Sequence, residues 1–505
     1  MPCAYPALYD QRVRPAGTGA GMAEDEVRRG AMAAARLAEG EPLQEVLDVA
    51  DPGEWLALDA GVRQVRWYRP DESAPKWEWA QEWDAPLPRD LMRAGESGLA
   101  VALCHRNGRI REAAVRRAAQ HPGLLPLVVI RCADWVAPLR RYARQLLRDT
   151  LDVDNAADLA PLLLRVGRRD RGAFGVQLLE EVLQGAPQGR LAALFAAPDR
   201  GVRRFAYRLA VAEGRLGPVD LARTAARDED NVVQDLCANA TLTALAATGD
   251  VDRNTYDDVL TPLLAARNPR TRSTGVTALR RAGRPQEAER FLNDRSAVVR
   301  ACARYVVRQY GGDPTTWYRT RCTGADDAAL LPGTVIGLAE CGDRADAGLL
   351  RSLLAHPDGA VRAQAVAGLR AVDRVATTTL LPLLDDPVPA VVREVTVALL
   401  PSAAELPADL LLDRTGPERP RHLRSAAFRL LDAHGGVMAL RAAVGLLADP
   451  DVKLRARAEH AVRRWRPAAD EQRGDPEVGR LLDRGRHLFS DRALRRLAWE
   501  AGLDG

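Results

Sequence analysis

The side chains best suited to chemistry gather between residues 104 and 148. Cys104-His105, His121 and Cys132-x-Asp134 are residue types that ligate metals or serve as nucleophile and base. No pair among them has the short, fixed separation of a zinc site, so no metal is expected, and no cofactor. The sequence holds no Gly-rich phosphate loop, Gly-x-Ser-x-Gly elbow or His-Glu-x-x-His pair. Its nearest lookalike, Pro332-Gly333-Thr334, reads as an ordinary break between helices. Enzymatic activity is left unassigned, and a non-enzymatic role is favoured.

Charge is what this stretch does offer. Residues 104–148 carry ten arginines against Glu112 and Asp134, whereas residues 24–103 carry nine basic against seventeen acidic side chains. Arg140, Arg144 and Arg148 stand at i, i+4, i+8, on one face of a helix. That face could hold phosphates, a nucleic-acid backbone or an acidic partner, with Asp134 and Trp135 just before it as companion binding residues. Neighbouring segments of opposite sign and a net charge of only +4 favour mutual neutralisation instead.

A second candidate surface is aromatic. Trp67, Tyr68, Trp77, Trp79 and Trp83 fall within 17 residues. The alternation Trp77-Glu-Trp79 and the turn-like Arg69–Pro75 suggest an extended excursion or hairpin. Such a platform could grip a peptide, a base or a cation. The favoured reading is a Trp-rich cap over the open end of a repeat array.

The array is read from one pattern that returns every 31 residues. Arg300, Leu331, Arg362, Arg393, Arg424 and Arg455 mark it, with an arginine at five of the six positions. The residue before each (Val299, Leu330, Val361, Val392, Leu423, Leu454) is apolar, and so is the residue seven after (Val307, Leu338, Leu369, Leu400, Leu431, Val462). A leucine-rich segment precedes each mark, then a polar break such as His356-Pro-Asp358 or Asp449-Pro-Asp451. Proline ends the first helix, and Asp358 or Asp451 N-caps the second. Val361, Ala365 and Leu369 then fix the buried face. One pair cannot bury that face alone; a stack can.

The Asp-x-x-Val-Arg-x-x-Ala signature after a Pro-containing break resembles HEAT-like repeats of the short bacterial, phycobilisome-lyase type. The resemblance implies that second helices line a concave face and that the arginine ties neighbouring repeats together. Cys104-His-x-Asn-Gly-x-x-Arg-Glu with Asp134-Trp-Val-x-x-x-Arg looks like a group of bacterial HEAT proteins over roughly residues 100–150, and brings no function with it. Here the pattern places second-helix starts at Arg111, Arg140, Arg203 and Gln234. The 66 residues from Gln234 to Arg300 exceed two periods, which predicts an insertion near 248–255 or 268–273.

The expected fold is therefore all-α: a right-handed, HEAT/armadillo-like α-solenoid of roughly a dozen helix pairs. Low aromatic content, 5%, agrees. The expected divisions are a disordered leader (1–21, with Met22 a candidate start), an N-terminal helical and Trp-rich cap region (22–100), the solenoid (101–465) and C-terminal capping helices (466–505). Seven cysteines, odd in number and widely spaced, point to a reducing cytoplasm, and no apolar run suggests a membrane span. The expected function is a scaffold for a protein partner. The competing reading is nucleic-acid binding. HEAT-like alkylpurine DNA glycosylases present Trp and Asp beside arginines in a groove, and a likeness at the level of fold would give that role to Asp134, Trp135 and Arg140.

Overall fold

The computed structural model describes residues 19–64, 93–247, 253–324, 329–372, 376–467 and 474–503. Every regular element among them is a helix. The chain divides into two compact units, one up to residue 224 with 228–241, the other 225–227 with 242–505.

In the first unit, α1 (Gly19–Ala38) packs on α3 (Pro52–Gln64), with the short α2 (Leu43–Val46) between them in sequence. The two long helices meet backbone to backbone. A Cβ on Gly30 would lie 1.8 Å from the Ala57 carbonyl oxygen, and one on Gly61 would lie 2.2 Å from the Ala31 nitrogen. Glycine weakens a helix by about 1 kcal/mol, and the close approach it permits offsets that cost. The α1 helix ends near Gly40, whose φ of +93° turns the chain. Its start at Gly19 lies inside the stretch expected to be a disordered leader. Residues 1–18 lie outside the described residues, as do Trp67, Tyr68, Trp77, Trp79 and Trp83. On either side of that aromatic segment the chain is helical, in α3 and in α4 (Glu96–Cys104).

Helix pairs follow: α4 with α5 (Gly108–Ala118), α6 (Leu125–Arg131) with α7 (Ala137–Thr150), and α8 (Ala156–Val166) with α9 (Ala173–Gln184). Local sequence explains their starts. Asn107 caps α5 by accepting from the Arg109 N–H at 2.9 Å. Pro138 sits in the first turn of α7, where its missing N–H costs nothing. On α7 the stripe Leu139, Ala143, Leu146 and Leu147 is buried. Successive pairs form two layers, with α3, α6 and α8 in contact in one and α5, α7 and α9 in the other. The carboxyl ends of α3, α6 and α8 thereby come together.

The second unit repeats the plan. Its second helices include Pro269–Arg281, Ala297–Gln309, Pro332–Cys341, Gly359–Val372, Pro389–Leu399, Arg421–His434 and Val452–Arg464. All six residues that precede the 31-residue marks are buried, as are five of the six that follow at +7. The exception is Leu400, half-buried, because Pro401 ends the regular helix and Leu399 takes the core place. Leu331, which replaces the arginine, is the exposed N-cap residue of its helix. The insertion before Arg300 is also located. Arg272 takes the repeat arginine's place on Pro269–Arg281, so the extra residues lie between Gln234 and Arg272; of the expected 248–255, residues 248–252 lie outside the described residues. Asn268–Ser273 is no loop, because Asn268 caps that helix. Among the described residues both units are all-α and built of stacked helix pairs, recurring about every 31 residues in the second.

Leu369 is fully buried on Gly359–Val372. Leu369→Ala should lower the stability of the second unit by about 2–5 kcal/mol, as truncation of a buried leucine does. Urea denaturation followed by circular dichroism measures this, and a curve that overlays the parent would refute the repeat phase.

Candidate functional site

The described residues hold their most unusual chemistry where α3, α6 and α8 end. Asp59 and Arg63 stand one turn apart near the end of α3, Arg131 closes α6, and Asp134 and Trp135 follow in the break before α7. Arg169 and Arg171 come from the turn after α8. Together they border a cleft of about 370 Å³.

Asp134 is the centre. Its Oδ1 accepts from Arg111 Nη2 at 2.9 Å and from the Val136 backbone N–H at 3.0 Å. Its Oδ2 accepts from Arg111 Nε and Arg131 Nη1, both at 3.0 Å, and Arg63 Nη2 stands 3.7 Å away. Burial opposes the carboxylate's charge, but the Arg111 hydrogen bonds and the Arg131 charge outweigh it and hold the Asp134 pKa below its ordinary value. Asp59 is the second acid. It pairs with Arg131 Nη2, accepts from Arg63 Nε at 3.2 Å, and has Arg169 Nη1 at 3.6 Å. Arg131 is thus a buried cation held between two carboxylates, and their attraction keeps its pKa raised against the opposing effect of burial. This is where the acidic 24–103 segment meets the basic 104–148 segment.

The sequence candidates separate here. Trp135 is 65% exposed at the rim of the cleft, with the Arg111 guanidinium 6.0 Å from its ring centroid. Arg140 donates to the Asp134 carbonyl at 2.6 Å and to that of Trp135 at 3.2 Å. Arg144 donates to the Cys132 carbonyl at 3.0 Å and the Arg171 carbonyl at 2.7 Å, with its guanidinium 5.0 Å from the Phe174 ring centroid. Arg148 is exposed, 5.1 Å from the same ring centroid. The arginine stripe is therefore divided: Arg140 and Arg144 hold backbone carbonyls, because the breaks on either side end in unsatisfied C=O groups. Trp77 and Trp79 lie outside the described residues.

Arg144 has a particular task. Arg171 has a φ of +65°, and among the described residues no other non-glycine residue has positive φ. Such a backbone costs about 1–2 kcal/mol for an L-residue. The bond from Arg144 fixes the carbonyl of that turn and with it one wall of the cleft.

Nucleophilic chemistry is disfavoured. Burial pushes the thiols of Cys104 and Cys132 up to about 12, so both stay protonated at neutral pH, and only a thiolate attacks. His105 Nδ1 accepts from the Asn107 backbone N–H at 3.0 Å, a turn-forming contact. Both oxygens of Asp134 are taken up by hydrogen bonds and its side chain is fully buried. It presents no free face to a substrate, so the geometry lends nothing to a glycosylase-like role.

The sequence candidates did not include Asp59, Arg63, Arg131, Arg169 and Arg171. One signal pointed to Arg131: a cation that closes the apolar run Leu127–Ile130, at a place where the helix is buried on every side.

No protein-family model matches the chain, and no curated protein matches it. Among solved structures it is similar to the karyopherin Kap121p bound to Nup53p, with 13% identity, a TM-score of 0.29 and coverage of 90% of this chain and 54% of that one. Kap121p bound to the extreme C-terminus of the protein phosphatase Cdc14p gives 14%, 0.30, 90% and 54%. Importin beta in an ammonium sulfate condition gives 11%, 0.30, 97% and 82%. The chain spans about half the length of the Kap121p chains. At these identities and scores, what those proteins bind says nothing of this one.

The Asp134 network predicts a pH dependence. A carboxylate with a lowered folded pKa stabilises the fold above its unfolded pKa, about 3.9, and loses that contribution as pH falls through the folded value. Asp134→Asn should cost about 3–5 kcal/mol at pH 7, because it leaves buried guanidiniums unpaired. The deficit should shrink as pH falls below about 4, where Asp134 of the unfolded chain takes up its proton first, and go on shrinking through the lower folded value. Denaturation midpoints at pH 7, 5 and 3 test this, and a deficit constant with pH would contradict it.

Proposed function

We propose that this chain is a helical-repeat scaffold that holds a protein partner, and that the partner engages at Trp135 and the cleft beside it. One observation carries the reading: a tryptophan 65% exposed at the rim of an arginine-lined cleft. A large apolar side chain left in water forgoes roughly 1.5–3 kcal/mol of burial free energy that a partner can supply. Tryptophan and arginine together are the residue types in which interface energy concentrates. Trp135 is also held by its backbone, through Arg140 and the capped break at Asp134. A contact residue already fixed in place loses less entropy when it binds.

Nucleic-acid binding is weakened by the same geometry. Of the stripe Arg140, Arg144 and Arg148, two members hold carbonyls, and Arg148 alone points its charge outward on an exposed side chain. Each phosphate contact in a real interface adds roughly one unit to the salt slope, so Arg148, which itself donates to Gln145 Oε1 at 3.5 Å, supports little affinity.

The experiment is capture from native lysate on the immobilised chain, with and without nuclease. A partner should survive nuclease, and Trp135→Ala should reduce its recovery about thirtyfold, the loss of a 2 kcal/mol contact. The Arg140→Gln, Arg144→Gln, Arg148→Gln triple variant should leave salt-dependent DNA and RNA affinity as negligible as in the parent. Micromolar DNA binding by the parent at physiological salt would overturn the proposal.

A further inference from the structure

The helix Asp491–Glu500 of the second unit leaves one face without a partner. Leu497 is buried and fixes its inner side. Arg492, Arg495 and Trp499 stand at i, i+3 and i+7, so they share the opposite face, and all three are exposed. Trp499 is 77% exposed, more than any other large apolar side chain among the described residues. Ser490 caps the helix by accepting from the Ala493 N–H at 3.3 Å, so the face is held in place.

The surroundings of this tryptophan are basic. Residues 476–500 carry six arginines against four carboxylates. Two of those carboxylates are already taken, Glu477 by Arg441 at 2.6 Å and Glu500 by Arg496 at 2.7 Å. Arg492 and Arg495 make no ion pair with another described residue. Tryptophan and arginine are the types that dominate interface energy, and a face of this kind fits a surface that is acidic and partly apolar.

The chain carries such a surface itself, on the first unit. From Glu39 to Glu54 there are six carboxylates and no cation. Arg36 holds Glu41 and Arg29 holds Glu54, each at 2.9 Å. Glu39, Glu45, Asp48 and Asp51 are exposed and pair with no cation among the described residues. Asp48 and Asp51 order the backbone here by accepting from the Ala50 and Gly53 N–H groups at 3.1 and 2.7 Å. Between them Val49 is 45% exposed, and its carbonyl accepts from Nε1 of the buried Trp55 at 3.0 Å. Two surfaces that are already ordered lose little entropy when they meet. Like surfaces repel, acidic on acidic or basic on basic, so the pairing of unlike surfaces is the complementary one.

We propose that this protein associates with itself, the Arg492, Arg495 and Trp499 face of one copy docking on the Glu45–Asp51 segment of a second. Trp499 covers Val49 of the second copy, and the two arginines meet its Glu45 and Asp48. The contact is heterologous. Each copy keeps its other surface free for a further copy, so association continues beyond two unless a ring closes. Neither Trp135 nor the cleft beside it takes part, so the proposal stands apart from the partner reading above.

Sedimentation velocity of the full chain tests this. In dilute salt the weight-average sedimentation coefficient should rise over a roughly hundredfold range of concentration. At about 1 M salt, where charges are screened beyond about 3 Å, the rise should need at least about tenfold more protein. Two charge-reversed variants, Arg492→Glu with Arg495→Glu and Glu45→Lys with Asp48→Lys, should each stay monomeric alone. Mixed in equal amounts they should associate again, because each then meets an oppositely charged surface on the other. Both change exposed side chains, and circular dichroism melts that overlay the parent's check that they fold. Trp499→Ala leaves every charge in place and should still raise the concentration needed by about tenfold. A parent that sediments as a monomer throughout would overturn the proposal. So would association that either reversed variant leaves intact, since one of the two surfaces would then play no part, and so would folded variants that fail to associate when mixed. Binding of the monomeric parent to single-stranded DNA or anionic vesicles, lost in Arg492→Glu with Arg495→Glu, would overturn it in favour of a polyanion.

Discussion

A single guanidinium that serves two repeats at once is the joint on which each stack depends. Arg362 shows the arrangement. Its Nη1 donates back to the His356 and Pro357 carbonyls at 2.7 and 2.9 Å, which the break before its helix leaves unsatisfied. Its Nε and Nη2 reach forward to Asp386 of the next break, both at 2.8 Å. Asp386 in turn accepts from the Val388 N–H and so organises the start of the following helix. Arg272 repeats this with the Ala266 and Arg267 carbonyls and with Asp294. Arg111 does so with the His105 and Arg106 carbonyls and Asp134. The planar fork is what makes this feasible, since an ammonium cannot present fixed donors in two directions. Among the basic residues lysine occurs only as Lys76 and Lys453.

The joint is half-buried to fully buried, so its two partners matter more together than apart. Removing one leaves an unpaired charge where water cannot reach it, which costs more than the intact pair contributes. Position in the period does not by itself settle the partner. Arg300 turns to Glu340 on the helix Pro332–Cys341 rather than to an aspartate in a break, and Arg304 shares that carboxylate. Arg393, exposed, meets only its neighbour Glu394 at 3.2 Å. Arg455 keeps the backward bond to the Asp449 carbonyl at 2.7 Å. Where Leu331 stands, the joint is missing from the sequence and the helix begins with an exposed side chain instead.

At the cleft this joint is elaborated rather than replaced. Asp134 is the ordinary forward partner of Arg111, but the end of α6 adds Arg131 to it, and α3 adds Asp59 and Arg63. A structural ion pair thereby becomes a network with more cations than anions. The same burial that keeps the neighbouring thiols protonated strengthens every charge interaction there, because little water remains to screen it. The exposed Trp135 stands beside this network.

The period of 31, the apolar residue before each mark and the one seven after it are local facts. Residues a few positions apart on one helix share a face whatever surrounds them, so the sequence alone was enough for the repeat, its phase and its helical class. The same reasoning placed Asp134 and Trp135 in a break and Arg140, Arg144 and Arg148 on one face. It could not say which way that face would be used. Arg140 and Arg144 are drawn to carbonyls at the ends of breaks, and Arg144 reaches a turn 27 residues further on. Nor could it bring Asp59 to Arg131, 72 residues apart, since neither spacing nor residue type marks that pair. Asp59, Arg131 and Arg169 sit on different helix pairs, and only the stacking of one layer, with three helices ending side by side, makes them neighbours. The repeat is written in short-range periodicity; the cleft is decided by long-range packing, which brings together charges that the linear chain keeps apart.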